Sequence, residues 1–248
     1  WTALHCAAIS PVDGSEALCR RILDRDDFVG LNILDGYGRT ALSAAAFHGR
    51  LGVCQAILDR PDFTGVNQQD KSGWTALHLA ATNGYFEVCA AILAHKGFSE
   101  INSKDRFGRT ALHIAAEPST PPWCQRPSEE CISKAQKELE DLGTSAHTVP
   151  SVAMCRANAY QEALQLSKAR SEGSWTLANG HARTCELILA REDFTEVNSE
   201  DKWGSTVLQL AASKGYGLVC KRILERQDFV NINPRDAHGS TVLHWAAM

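Results

Sequence analysis

The sequence predicts an all-α solenoid of stacked helix-turn-helix units with projecting β-turn or hairpin fingers, on three observations. The motif D-x-x-G-x-T returns at a fixed interval: Asp35, Asp70 and Asp105 are 35 residues apart, and so are Asp201 and Asp236. Cysteine keeps the same beat, at Cys19, Cys54 and Cys89 and again at Cys185 and Cys220. Each motif is followed by apolar residues at helical rather than alternating spacing. A period of about 20–50 residues marks a stacked array, in which no unit buries its apolar face alone.

The unit beginning at Asp70 shows each element. Residues 70–73 read as a turn, and Thr75 as the N-cap of a helix over 76–83, its hydroxyl accepting an orphan backbone N–H. Gly84 breaks that helix. A second helix over 86–95 carries Val88, Cys89, Ile92 and Leu93 on one face. Residues 96–102 then extend into the next turn. The same grammar places Gly38, Gly73, Gly108, Gly204 and Gly239 two residues before Thr40, Thr75, Thr110, Thr206 and Thr241. The chain opens inside a copy at Trp1-Thr2 and stops at Met248 inside another, which reads as a fragment of a longer protein.

The array is interrupted once. Asp105 and Asp201 are 96 residues apart, one period plus 61. Taking Gly180 as the equivalent of Gly84 puts the extra residues between the two helices of the fourth unit. Three segments result: repeats over 1–117, an insertion over 118–178, and 179–248 as the rest of unit four, unit five and a truncated sixth. Removing the insertion would rejoin Glu117 to Asn179 at the length seen in unit three. The insertion starts Pro-rich, at Pro118, Pro121, Pro122 and Pro127, and then offers helical patterns near 128–142 and 150–170. It reads either as a docking or regulatory element or as a tolerated loop or translated intron. Ser174-Trp175-Thr176 echoes Gly73-Trp74-Thr75, as a shortened extra unit would.

Composition bounds the function. With 44% hydrophobic residues, 22% charged residues and a net charge of -4, the chain suits a soluble protein, not a nucleic-acid binder. No apolar run approaches the roughly 18 residues of a membrane helix. Cysteines one per period inside apolar helices read as small core residues, lacking the paired spacing of a zinc site, and favour a reducing, intracellular compartment, the cytoplasm or the nucleus.

The run T-A-L-H-L-A-A after a D-x-x-G turn, with a second helix and V-N behind it, resembles the ankyrin repeat across 1–116 and 179–248. Two departures stand out: Ala or Val replaces the family's proline after Thr, and the unit has 35 residues instead of 33. The additional residues fall in the connector D-F-x-x-V-N (Asp62, Phe63, Val66, Asn67), where Phe28, Phe63, Phe98, Phe194 and Phe229 should pack beneath the loop. The resemblance implies that His5, His78, His113 and His244 hydrogen-bond neighbouring turns. Four copies of one position do not make a general base, and no orienting carboxylate or nucleophile accompanies any of them. It further implies a non-catalytic, cofactor-free scaffold, monomeric, that binds a protein partner through finger tips and the concave helix face. Two alternatives stay open: a regulatory segment of a larger enzyme, or a thiol enzyme using Cys124, Cys131, Cys155 and His147 of the insertion.

The candidate contact residues lie at the turns. Tyr37, Trp74, Phe107 and Trp203 vary between units, with Lys71, Arg106, Arg109 and Lys202 beside them; aromatic and arginine side chains favour binding hot spots. Phe107 and Trp203 should occupy adjacent turns at about the 8–10 Å spacing of packed helices. Trp74 should extend them into one aromatic ridge.

Overall fold

The computed structural model describes residues 2–9, 15–25, 28–117, 175–231 and 234–247. The calls on 118–174, including the Pro-rich lead-in, the two helical patterns, Cys124, Cys131, Cys155 and His147, lie outside them, as does Trp1. Eleven α-helices are defined among the described residues: α1 (Ala3–Ile9), α2 (Ser15–Leu23), α3 (Ala41–Phe47), α4 (Leu51–Leu58), α5 (Ala76–Thr82), α6 (Phe86–Ala94), α7 (Ala111–Ala116), α8 (Trp175–Leu189), α9 (Val207–Ser213), α10 (Gly217–Leu224) and α11 (Val242–Ala246). Among these residues there is no β-strand, only one bridge between Glu200 and Thr206. The helices form two layers. α1, α3, α5, α7, α9 and α11 pack in series as one, and α2, α4, α6, α8 and α10 as the other.

Each inner helix starts the same way. Thr40, Thr75, Thr110 and Thr206 are extended N-caps whose hydroxyls accept from the backbone N–H three residues on. After Thr75, Thr110 and Thr206 the side chain at that third position completes a capping box. Nδ1 of His78 accepts from Thr75 N–H at 3.2 Å, Nδ1 of His113 from Thr110 N–H at 3.3 Å, and Oε1 of Gln209 from Thr206 N–H at 2.9 Å. The far side of the same group reaches the next unit. Nε2 of His78 lies 3.4 Å from the Arg109 carbonyl, and Nε2 of His113 lies 3.1 Å from that of Ser199. Gln209 Nε2 donates to Ser240 O at 2.9 Å. The recurrent histidine thus caps its own helix and ties it to the following turn.

The turns are built by aspartate. Asp70 Oδ1 accepts from the N–H groups of Ser72 and Trp74 at 2.7 and 2.9 Å, folding the backbone around its carboxylate. Gly73 closes the turn at φ +81°, where a Cβ would also meet Asp105 Cα of the next turn at 3.0 Å. Both backbone strain and contact therefore select glycine.

Apolar packing runs continuously through the layers, joining Leu4, Leu42, Leu77 and Leu112 of inner helices to Ile57, Ile92, Ile188 and Ile223 of outer ones. Cys19, Cys54, Cys89 and Cys185 are fully buried within it. Phe63, Phe98 and Phe194 are buried under their connectors, as the period predicts, whereas Phe28 and Phe229 are half-buried.

The connectors carry a clamp. Asn67 donates to Gly97 O and accepts from Ser99 N–H, and Asn32, Asn102 and Asn198 repeat the pair of bonds to their following connectors. Arg60 pairs with Asp62 and donates Nη1 to the Leu23 carbonyl at the end of the preceding outer helix. Arg191 and Arg226 do the same with Asp193 and Asp228, reaching Leu93 and Leu189.

One expectation is corrected. Gly84 ends α5 in the left-handed region at φ +68°, with Gly84 N–H bonded to Ala81 O and Tyr85 N–H to Ala80 O. Gly180 does not repeat this; it lies inside α8, which runs unbroken from Trp175 to Leu189. The expected boundary at 178/179 therefore falls within a helix. Gly180 instead provides close approach, since a Cβ there would collide with the Gly84 carbonyl oxygen.

Candidate functional site

The finger tips are joined in a single file of backbone hydrogen bonds. Lys71 N–H donates to Tyr37 O at 2.9 Å, Arg106 N–H to Ser72 O at 3.1 Å, Lys202 N–H to Phe107 O at 2.9 Å and Ala237 N–H to Trp203 O at 2.9 Å. This file holds adjacent tips in register, so a side chain at one turn position meets its counterpart on the next. Phe107 and Trp203, 96 residues apart in sequence, stack with ring centroids 5.9 Å apart and planes at 26°. Trp203 remains 45% exposed, while Phe107 is half-buried.

The cations converge on these rings. Lys202 Nζ lies 3.9 Å from the Phe107 centroid and 4.4 Å from that of Trp203, and the Arg106 guanidinium lies 4.8 Å from Phe107. Both cationic side chains are exposed, as is Lys71, whose Nζ donates to Gly36 O at 2.8 Å.

Two of the eight candidate residues belong elsewhere. Trp74 is fully buried, clustered with Phe47, Leu79 and Ile114, and does not extend the ridge. Its register explains this: Trp74 follows the turn glycine, like Arg39 and Arg109, whereas Tyr37, Ser72, Phe107, Trp203 and His238 precede it. Ser72 therefore separates Tyr37 from the stacked pair. Arg109 is also committed, donating to Asp105 Oδ2 through Nε at 3.0 Å and Nη2 at 2.7 Å, with its guanidinium 5.6 Å from Trp74 and 5.1 Å from Phe107. It supports Phe107 from beneath and is largely buried.

In the second unit Arg39 pairs with Asp35 in the same way. Burial works against the Asp35 carboxylate, but the Arg39 guanidinium and the N–H groups of Arg39 and Tyr37 outweigh it and hold Asp35 below the usual carboxylate range. Negative charge is thus drawn into the turns together with Arg39 and Arg109, while Lys71, Arg106 and Lys202 stay outside.

Burial pushes the Cys19 thiol up to about 11 and the Cys89 thiol to about 12, and raises Cys54 and Cys185 strongly, so none is poised as a thiolate nucleophile. Among the described residues no group of three or more His, Cys, Asp or Glu side chains could hold a metal ion, and no helix is long and apolar enough to cross a membrane. A groove of about 480 Å³ over α6, α8 and α10 is lined by Phe86, Arg183, Glu186, Arg222 and Glu225, charges of both signs.

Comparison with known families matches the model for ankyrin repeats (3 copies) to residues 62–120 and 174–248. No curated protein matches the chain.

Proposed function

Because the chain belongs to the ankyrin repeat family, we propose that it is a non-catalytic protein-binding module whose partner docks on the finger tips, with Phe107 and Trp203 at the centre of the contact. The observation that carries this reading is the stacked pair itself: a rigid, part-exposed aromatic surface held in place by Arg109 and the tip-to-tip hydrogen bonds. Rigid aromatics bury large area on binding at little entropic cost, the property of interface hot spots. Such modules share a fold and not a ligand, so the contact residues, not the repeat, decide the partner. The buried, undisulfided thiols of Cys54, Cys89 and Cys185 suit a reducing compartment, so we place the module inside the cell, in cytoplasm or nucleus, acting as a monomer.

Panning a displayed random-peptide library on the purified chain tests the proposal. Peptides selected by the wild type should lose about 30-fold in affinity, about 2 kcal/mol, on either Phe107→Ala or Trp203→Ala. Selected peptides that bind the two variants as well as the wild type would place the contact elsewhere.

A further inference from the structure

Resting on the finger-tip reading above, we infer that the ligand is an acidic, extended segment in the polyproline II conformation, with one carboxylate at every third residue. The second turn residue is a cation in three successive units, Lys71, Arg106 and Lys202. Among the described residues no carboxylate pairs with any of the three, whereas Lys104 beside them is bonded to Glu196 at 2.7 Å. The aspartates of the same turns, Asp70, Asp105 and Asp201, are buried behind their own backbone N–H groups. A chain of net charge -4 therefore presents a row of outward cations at this one edge.

The rings decide the sign of the ligand. An aromatic pair with open faces would suit a cationic guest, but here Lys202 and Arg106 already occupy the faces of Phe107 and Trp203. What the surface offers is positive charge backed by aromatic area, which selects an anion. Phosphate recognition gathers several basic groups on one dianion. Here each unit contributes a single cation, with Arg106 and Lys202 both against the Phe107 ring, and titration with a phosphopeptide separates a dianion from single charges. A nucleic acid gains affinity by neutralising many phosphates, and three cations on an acidic molecule do not supply that number.

Spacing fixes the conformation. Helices stacked unit on unit at about 8–10 Å carry the tips and set the interval between their backbones, while the Phe107 and Trp203 rings close to 5.9 Å. A polyproline II chain turns once in three residues and rises about 3.1 Å per residue, so every third side chain returns to one face after about 9 Å. A β-strand would place alternate members of the same series on opposite faces.

The probes are a peptide of four Glu-Pro-Pro repeats and an isomer of identical composition with its four glutamates contiguous, titrated calorimetrically into the full chain. The repeat peptide should bind at least tenfold tighter than the isomer and weaken as NaCl rises from 50 to 300 mM. The variant Lys71→Gln, Arg106→Gln, Lys202→Gln, confirmed folded by circular dichroism, should lose at least 30-fold. Equal binding of the two isomers, an unaffected triple variant, or tighter binding of a single-stranded oligonucleotide or a phosphopeptide would overturn the inference. If the glutamate peptides fail while a library-selected peptide still depends on Trp203, the acidic ligand falls and the finger-tip surface stands. If neither depends on the tips, both fall.

Discussion

His78 and His113 occupy the third helical position, where a capping box ordinarily carries Glu or Gln. Burial lowers both imidazoles to about 4, which keeps them neutral with Nδ1 accepting from the threonine and Nε2 directed at the next unit. In the unfolded chain the same groups take up protons near pH 6.5. The stability they contribute is complete above that value and is lost as pH falls toward 4, about 2 kcal/mol each by pH 5. Gln209 makes equivalent bonds without titrating, so the double variant His78→Gln, His113→Gln should lose correspondingly less between pH 7.5 and 5, read as urea midpoints; parallel loss in both proteins would locate the pH dependence in other groups. The threonine cap, the turn glycine and the buried cysteine were legible in the sequence because each recurs at one register and each answers a local backbone or packing need. Trp74 was not, because an aromatic residue in a turn has the character of a tip residue, whereas its register is that of Arg39 and Arg109, one place past the turn glycine. One position along a turn separates an exposed tip from the core.

At the scale of elements, three Arg-x-Asp pairs tie a connector back to the end of the preceding outer helix. Arg226 donates to the Leu189 and Phe194 carbonyls at 2.9 and 2.8 Å while held by Asp228, capping the end of one outer helix from the next unit. Arg226→Met should therefore cost about 1–2 kcal/mol of unfolding free energy, because two carbonyls lose charge-assisted donors. A denaturation midpoint unchanged from wild type would show that water replaces the guanidinium without penalty. This clamp was in plain view in the sequence, yet charges two residues apart near a loop read as solvated surface; only the structure shows the third partner, 37 residues back. The continuity of α8 through Gly180 was hidden for another reason. Glycine permits a left-handed helix end without requiring one, and the decisive contact, the Gly84 backbone, is distant in sequence.

Across the whole molecule, the bonds that join unit four to its neighbours are the same as those elsewhere, although the chain between them is far longer. Arg60 reaches the Leu23 carbonyl across 37 residues, and Arg191 reaches Leu93 across 98. Loop closure grows only with the logarithm of length, so this extension costs about 0.9 kcal/mol, a small charge against the packing of α8 on α6 and α7. Asn102 to Asp193, His113 to Ser199 and the Phe107–Trp203 stack all cross the same seam. The covalent link through 118–174 is therefore not what holds the two sides together. Separately expressed fragments 1–117 and 175–248 should assemble into a one-to-one complex that elutes as a single species in size-exclusion chromatography; two independent peaks would show that the tether is required. If they assemble, the aromatic platform exists only in the reunited pair, since Phe107 comes from one fragment and Trp203 from the other. The proposed docking surface would then serve as a split reporter, present when both halves are present and absent when either is alone.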